Sequence, residues 1–279
     1  MVKNVIPKSL SEALELLNDR PFKIIAGGTD LMVQRRAWSK TPPEFSEDVL
    51  YIFNLEELKY VKEEDGFIVI GSTTCVEDVL HNDLTPKLLK EAISIMASPA
   101  LRNMATIAGN IGNASPAGDT LPILYTLDAI IVLQSIEGIR KLPIEEVITG
   151  PRRHVIKQNE IIKEIKIPID VFTNSIFEKV GGRKADAISK VSFTGAVNVE
   201  NDKVLDFRIA FGAVSATILR RRDIEKKYIG LSKEELIGKV DEIVSKYDVY
   251  VRPIDDQRSN KEYRKTVALN LLRNFIETL

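Results

Sequence analysis

Two short segments of this 279-residue chain hold residue types suited to an anionic, hydroxyl-rich ligand. The first is Gly27-Gly28-Thr29-Asp30, which follows the β-type run Lys23-Ile24-Ile25-Ala26. A diphosphate is gripped by backbone N–H groups that come close to it, and a side chain at the contact point would block that approach. Adjacent glycines after a strand can take up positive φ and line an anion nest. Thr29 would add a hydroxyl donor, and a helix opening at about Asp30 would add a favourable dipole. Ordinary turn chemistry explains the same four residues and stays open at this point.

The second segment runs from Thr106 to Asp119, Thr-Ile-Ala-Gly-Asn-Ile-Gly-Asn-Ala-Ser-Pro-Ala-Gly-Asp, and gathers small residues, hydroxyls and amides without Lys, Arg or His. Gly109 lets the main chain approach a ligand, Asn110 and Asn113 can donate and accept, and Asp119 can accept from ribose or ribityl hydroxyls. The alternatives are an Asn/Gly-rich surface turn and an Asp119 that caps the helix containing Leu121 to Leu127. No Gly-Lys-Ser/Thr follows the glycines, and neither segment has Gly-x-Gly-x-x-Gly spacing, which weighs against Walker and NAD-Rossmann sites. His81 and His154 stand far apart without a ligand pattern, so both are expected at the surface or at caps. Arg220-Arg221-Arg222 reads as a solvated stretch near a helix start.

The elements that must position these segments are mixed. Ser9 with Glu12 forms a capping-box pattern before Leu10, Ala13, Leu14 and Leu17 at helical spacing. Phe67 to Ile70 reads as a strand, followed by a helix capped by Thr74 and Glu77 and another opened by Thr85 and Pro86. Ser98 to Asp119 shows no helical period and is expected as a long ordered loop, with Ala129 to Leu133 a buried strand beyond it. From Asn174 the runs Ser175 to Val180, Ala187 to Val199 and Val204 to Ala213 predict neighbours in an antiparallel sheet. Capping boxes at Ser232/Glu235 and Ser259/Glu262 then open helices, the last with a stripe of Tyr263, Val267, Asn270, Leu271 and Phe275. The spacing places a domain boundary between Asp170 and Asn174.

Composition narrows the function. With 39 basic against 40 acidic residues, the chain has no summed field to attract nucleic acid or an anionic membrane. Cys75 is the single cysteine, which excludes a disulfide framework, a Cys-based zinc site and an iron–sulfur cluster held by this chain alone. Redox chemistry would need an organic cofactor. The opening residues include acidic side chains, and the apolar stretch Thr120 to Ile136 is interrupted by Asp128 and Gln134, so a cytoplasmic protein without a membrane span is expected.

The motifs Lys23-Ile-Ile-Ala-Gly-Gly-Thr-Asp-Leu-Met32 and Ala105-Thr-Ile-Ala-Gly-Asn-Ile-Gly-Asn-Ala-Ser-Pro-Ala-Gly-Asp-Thr-Leu-Pro122 resemble those of the FAD-binding medium subunit of the xanthine oxidase family of molybdenum hydroxylases, which includes carbon monoxide dehydrogenase and aldehyde oxidoreductases. Phe177, Lys179, Arg183 and Asp186, and then Gly212-Ala-Val-Ser-Ala-Thr217, resemble the segments that open its C-terminal domain. The resemblance spans almost the whole chain. It implies an α+β protein with a two-subdomain FAD-binding fold of the PCMH or vanillyl-alcohol-oxidase-like type, at 1–55 and 56–172. A C-terminal domain at 173–279 would carry a three-stranded antiparallel sheet and helices.

Carried over by position, Lys23, Ile24, Ile25, Ala26, Gly27, Gly28, Thr29, Asp30 and Leu31 would wrap the pyrophosphate and adenosine side of FAD. Ala105, Thr106, Gly109, Asn110, Asn113 and Asp119 would hold the rest. Met96 would lie against one flavin face and Ile161 or Ile162 against the other, with core packing as the alternative, and Lys179 would sit near the isoalloxazine. Ala108 departs from the family's usual Gly-Gly, which would cost about 1–2 kcal/mol if that position needed positive φ. No cysteine-bearing insertion of the benzoyl-CoA-reducing relatives is present, which points to the simpler aldehyde, carbon monoxide and purine branches. The implied function is electron transfer from the 2Fe-2S clusters of a small partner subunit, through FAD, to an external acceptor. A large partner subunit would hold the molybdenum cofactor and oxidise the substrate, an aldehyde being the favoured class. The assembly would be a heterotrimer or a dimer of heterotrimers. A non-catalytic scaffold subunit and a free-standing flavoprotein oxidoreductase of similar fold are the other readings.

Overall fold

The structure, a computed structural model, describes residues 2–39, 41–184 and 186–279. The chain forms two compact units. The first comprises Met1–Thr85, Ala97–Ala114 and Ala129–Pro168; the second comprises Pro86–Met96, Ser115–Asp128 and Ile169–Leu279.

The first unit holds two main sheets. A small parallel sheet has the order Asn4–Val5, Val49–Tyr51, Lys23–Ile25. A five-stranded antiparallel sheet has the order Val61–Glu64, Phe67–Gly71, Ile161–Pro168, Ile130–Ser135, Gly138–Pro143. The helix Leu10–Asp19 buries Leu10, Ala13, Leu14 and Leu17, the stripe its spacing predicts, against Leu50, Ile52, Leu55, Leu58 and Ile161. Removing those side chains from water is what fixes the helix there, since so short a helix is marginal by itself. Ser9 caps it by accepting from the Glu12 N–H at 3.1 Å, while the Glu12 carboxylate takes the Lys8 N–H instead of closing the box on Ser9.

The second unit is built on the antiparallel strands Asn174–Val180, Val191–Glu200 and Lys203–Gly212, extended by a two-residue fourth strand, Leu219–Arg220. The helix Lys261–Glu277 packs on the sheet at Gly195, where a Cβ would lie 2.6 Å from the Phe275 ring, so only glycine admits the ring. Phe193 meets Phe211 and Phe275 at 5.2 and 5.8 Å between centroids, and Phe211 meets Tyr247 at 5.6 Å, an aromatic centre within a larger apolar core.

Several local expectations are corrected. The helix after Thr74 is capped by Cys75, whose Sγ accepts from Asp78 N, because the Thr74 hydroxyl is bonded to the Tyr60 backbone N–H and carbonyl. Pro86 is the N-cap of Lys87–Ser94 rather than its first residue. Ser98 to Asp119 is not a plain loop: Ser98 caps a short helix Pro99–Arg102, and Thr106 caps Ile107–Asn113. The Ser232/Glu235 capping box is realised in full. The Ser259/Glu262 box is displaced one residue by Asn260, which accepts from Tyr263 N at 2.8 Å. The buried stripe of that helix shifts likewise to Arg264, Ala268, Leu272, Phe275 and Ile276, leaving Tyr263 exposed.

Candidate functional site

In the first unit the two glycine-bearing segments meet. A Cβ on Gly27 would stand 1.6 Å from the Met104 carbonyl oxygen, 2.4 Å from its carbon and 3.1 Å from Ala105 N, so the bend lies directly on the Met104–Ala105 backbone. Gly28 adopts φ +66°, the left-handed conformation the nest reading requires. The helix beyond it is a single short piece, Leu31–Gln34. Among the described residues, the N–H groups of Gly27, Gly28, Thr29, Asp30 and Leu31 donate to no protein acceptor, and Gly27, Gly28 and Thr29 are partly exposed, so these donors can serve a bound group. That donor set fits a diphosphate.

The second segment is anchored from beneath. Val76 N donates to Ala105 O at 2.8 Å, and Cys75 bridges Thr106. Thr106 is buried and its Oγ1 accepts from Gly109 N at 2.9 Å, so its hydroxyl is already engaged as a helix cap. Gly109 is exposed above it. Ala108 lies inside the helix with no positive φ, so the departure from Gly-Gly carries no strain.

Two residues that no motif singled out join the segments. Gln34 Nε2 donates to Asn113 Oδ1 at 3.0 Å and also to Asp30 Oδ2; Arg152 Nη1 donates to the same Asn113 oxygen at 3.3 Å. Lys23, Ile24 and Ile25 form the strand that delivers the bend, with Ile25 buried. Ile161 is 1% exposed and packs in the core cluster around Leu14 and Leu50, and Ile162 is 9% exposed.

The remaining candidates lie in the second unit. Asp119 Oδ2 accepts from Lys179 Nζ at 2.6 Å and its Oδ1 from Ser189 Oγ at 2.7 Å, with the Lys179 side chain 6% exposed. Asp119 therefore does not cap the helix Leu121–Thr126, whose N-cap is Thr120. Lys179 also reaches the Ile95 carbonyl at 3.4 Å, beside the partly buried Met96.

The arginine triplet is not a solvated stretch. The Arg220 side chain is 4% exposed and binds Asp128 at 2.6 Å and Glu225 at 3.1 Å, and Arg222 shares Asp128. Arg208 adds Asp170 and the Thr126 carbonyl at 2.8 and 2.9 Å. Burial pushes the Asp128 carboxyl up, but the Arg220 charge, the Arg222 hydrogen bond and the Arg208 charge outweigh it and hold the pKa below its ordinary value. Glu225 is five residues from Arg220, but Asp128, Asp170 and Thr126 lie far from the arginines in sequence, where spacing cannot reveal them. His81 is exposed beside Glu77 at 3.4 Å, and His154 is exposed in the short strand Arg153–His154. Among the described residues no group of three or more His, Cys, Asp or Glu could hold a metal ion, and no helix is long and apolar enough to cross a membrane.

Comparison with known proteins agrees with this layout. Residues 1–170 match the family described as FAD binding domain in molybdopterin dehydrogenase, and residues 177–279 match the CO dehydrogenase flavoprotein C-terminal domain. The glyceraldehyde dehydrogenase medium chain of Sulfolobus acidocaldarius is 32% identical over 271 residues, covering 94% of this chain and 92% of the relative. The xanthine dehydrogenase FAD-binding subunit of Escherichia coli O157:H7 is 28% identical over 277 residues, covering 96% and 92%. Carbon monoxide dehydrogenase from Hydrogenophaga pseudoflava has a chain of the same fold, with a TM-score of 0.86 at 24% identity over 99% of this chain and 96% of that one. With both family matches in chain order and a relative of such identity along nearly its whole length, this chain belongs to the family of FAD-binding medium subunits of the molybdopterin dehydrogenases.

Proposed function

We propose that this chain is the FAD-containing electron-transfer subunit of a heteromeric molybdenum hydroxylase. It would take electrons from 2Fe-2S clusters of a small partner subunit and pass them to an external acceptor, while a large subunit carries the molybdenum cofactor. The observation that carries the reading is the first unit's pair of segments, in contact at Gly27 and Met104, with the N–H groups of Gly27 to Leu31 left to donate outward. FAD, when bound, supplies the redox chemistry, and the protein supplies binding, orientation and electrostatics.

The residues from Lys23 to Leu31 would hold the diphosphate side. Ala105 positions the contact with Gly27, and Gly109, Asn110 and Asn113 present small or amide groups from the helix that Thr106 caps. Ile162 is the better candidate of its pair for a ligand face, since Ile161 is committed to the core. For Met96, Asp119 and Lys179 a cofactor role is proposed as well, and the Asp119–Lys179 contact would hold the lysine side chain in place.

The division into 1–55, 56–172 and 173–279 is supported by the sheets, since the parallel sheet falls within 4–51, the five-stranded sheet within 61–168 and the four-stranded sheet within 174–220. An aldehyde is the proposed substrate of the complex, supported by the glyceraldehyde dehydrogenase relative. A heterotrimer or dimer of heterotrimers in the cytoplasm is the proposed setting, without nucleic acid or a membrane span. Native mass spectrometry of the complex isolated from its source tests the reading. The expected result is one FAD per copy of this chain and two further subunit types, one of them rich in cysteine. A chain that has no flavin mass and cannot be reconstituted with FAD would overturn it.

A further inference from the structure

We infer that Arg152 is a positioning residue that clamps the first glycine-bearing bend to the helix Ile107–Asn113 and thereby sets how long the cofactor stays bound; this rests on the FAD reading above. Arg152 belongs to neither motif. It sits in the turn between the strands Ile148–Gly150 and Arg153–His154. Its Nη1 donates to Asn113 Oδ1 at 3.3 Å and lies 3.7 Å from Asp30 Oδ2, while its backbone N–H donates to Ala114 O at 2.9 Å. Asp30 comes from the first segment, and Asn113 and Ala114 from the second. Gln34 completes the ring by donating to Asn113 Oδ1 and to Asp30. One turn thus grips both ligand-facing segments, by side chain and by backbone.

The backbone gives a second, independent observation. Arg152 has φ +57° and follows Pro151, an arrangement that a turn fills most easily with glycine or asparagine at the second central position. An arginine there is strained. Strained residues persist where their surroundings hold them, and they gather at ligand clamps and switch segments. What arginine adds over glycine at this position is the guanidinium, and the guanidinium goes to the two segments.

Arg152 and Asp30 have side chains 55% and 54% exposed, so their attraction alone is weak, and the clamp's effect is correspondingly moderate. The expected change in FAD release is about fivefold. The test compares the full-length holoprotein with R152G, R152K and Q34A, following the rise of free-flavin fluorescence after dilution, together with thermal unfolding of each apoprotein. R152G removes the guanidinium while relieving the backbone. The apoprotein should therefore melt at or above the wild-type temperature, yet the holoprotein should release FAD about fivefold faster. R152K should fall between, because it keeps the charge but loses the planar fork, and Q34A should change release in the same direction. Faster release in R152G accompanied by a lower apoprotein melting temperature would assign Arg152 a purely structural role and overturn the inference. FAD held equally by wild type and R152G overturns this inference alone, whereas a wild-type chain that retains no FAD overturns the cofactor reading and the clamp with it.

Discussion

Gly27 and Gly28 stand side by side in one motif, yet the structure predicts opposite sensitivities to the same methyl group. At Gly27 the added Cβ would fall 1.6 Å from a backbone oxygen and 2.4 Å from the carbon bearing it. Ordinary contact is about 3.5 Å, so the bend and the Met104–Ala105 backbone would have to part by roughly 1.5–2 Å. No rotamer change can absorb that, and the cost belongs at the upper end of overpacking, about 3 kcal/mol. At Gly28 the nearest atoms are Met32 Cγ at 3.2 Å and Ile25 Cγ2 at 3.3 Å, which can yield slightly, and the main penalty is the positive φ, about 1 kcal/mol. Denaturant unfolding of the apoproteins, with titration of FAD into each, measures both. G27A should lose roughly three times the stability that G28A loses and should bind FAD far more weakly. If G27A instead matches wild type in both measurements, the segments are not in contact as described and the site built on that contact fails.

Replacing Lys179 by methionine should destabilise the protein by about 3 kcal/mol in chemical denaturation, because it leaves the buried Asp119 carboxylate with Ser189 alone; the double variant K179M/D119N should recover part of the loss, and equal losses would contradict the pairing. For Asp128, whose pKa is depressed in the folded state, the stabilisation is complete above the ordinary carboxylate value of about 4 and is lost as pH falls through the lower folded value. D128N should therefore be less stable than wild type at neutral pH and show a shallower acid-unfolding profile below about pH 4; an unchanged profile would show that the arginine cluster does not depend on that charge.

How much of this was legible in the sequence depended on the range of the interaction. The amphipathic helix Leu10–Asp19 and the three long C-terminal strands follow from periodicity, because burial of one face is a local pattern that tertiary contacts only ratify. Caps were harder where several candidates stood together. Asn260 displaced Ser259 because Ser259 N is itself held by Asp256, and Thr74 was drawn to the Tyr60 backbone just ahead of the strand Val61–Glu64. The stripe of the last helix departs from the hydrophobic pattern because its buried face includes Arg264, a charge no such pattern would place inside. Its guanidinium is tied to Asp256 and to the Ala213 carbonyl. Glycine motifs announced the candidate site, but their contact at Met104, the exposed clamp through Gln34 and Arg152, and the Asp119–Lys179–Ser189 triad all join residues distant along the chain.

The distribution of charge also separates the work of the side chains from that of the backbone. Arg208, Arg220 and Arg222 are committed to Asp128, Asp170 and Glu225, Arg140 to Glu160, and Lys179 to Asp119, so many of the less exposed ionic groups serve the fold. At the glycine-bearing segments the donors offered are main-chain N–H groups. Such a site binds through the path of the chain, which a carboxylate or imidazole substitution barely alters and a single Cβ can close. An electron-transfer subunit can be built this way because it has to hold and orient its cofactor without proton transfer to a substrate of its own. Under the proposed function, substrate choice would reside outside this chain. Exchanging the medium subunit between complexes of different substrate class should leave the oxidised substrate unchanged and alter only delivery of electrons to the acceptor. A substrate preference that travelled with this chain would refute that division of labour.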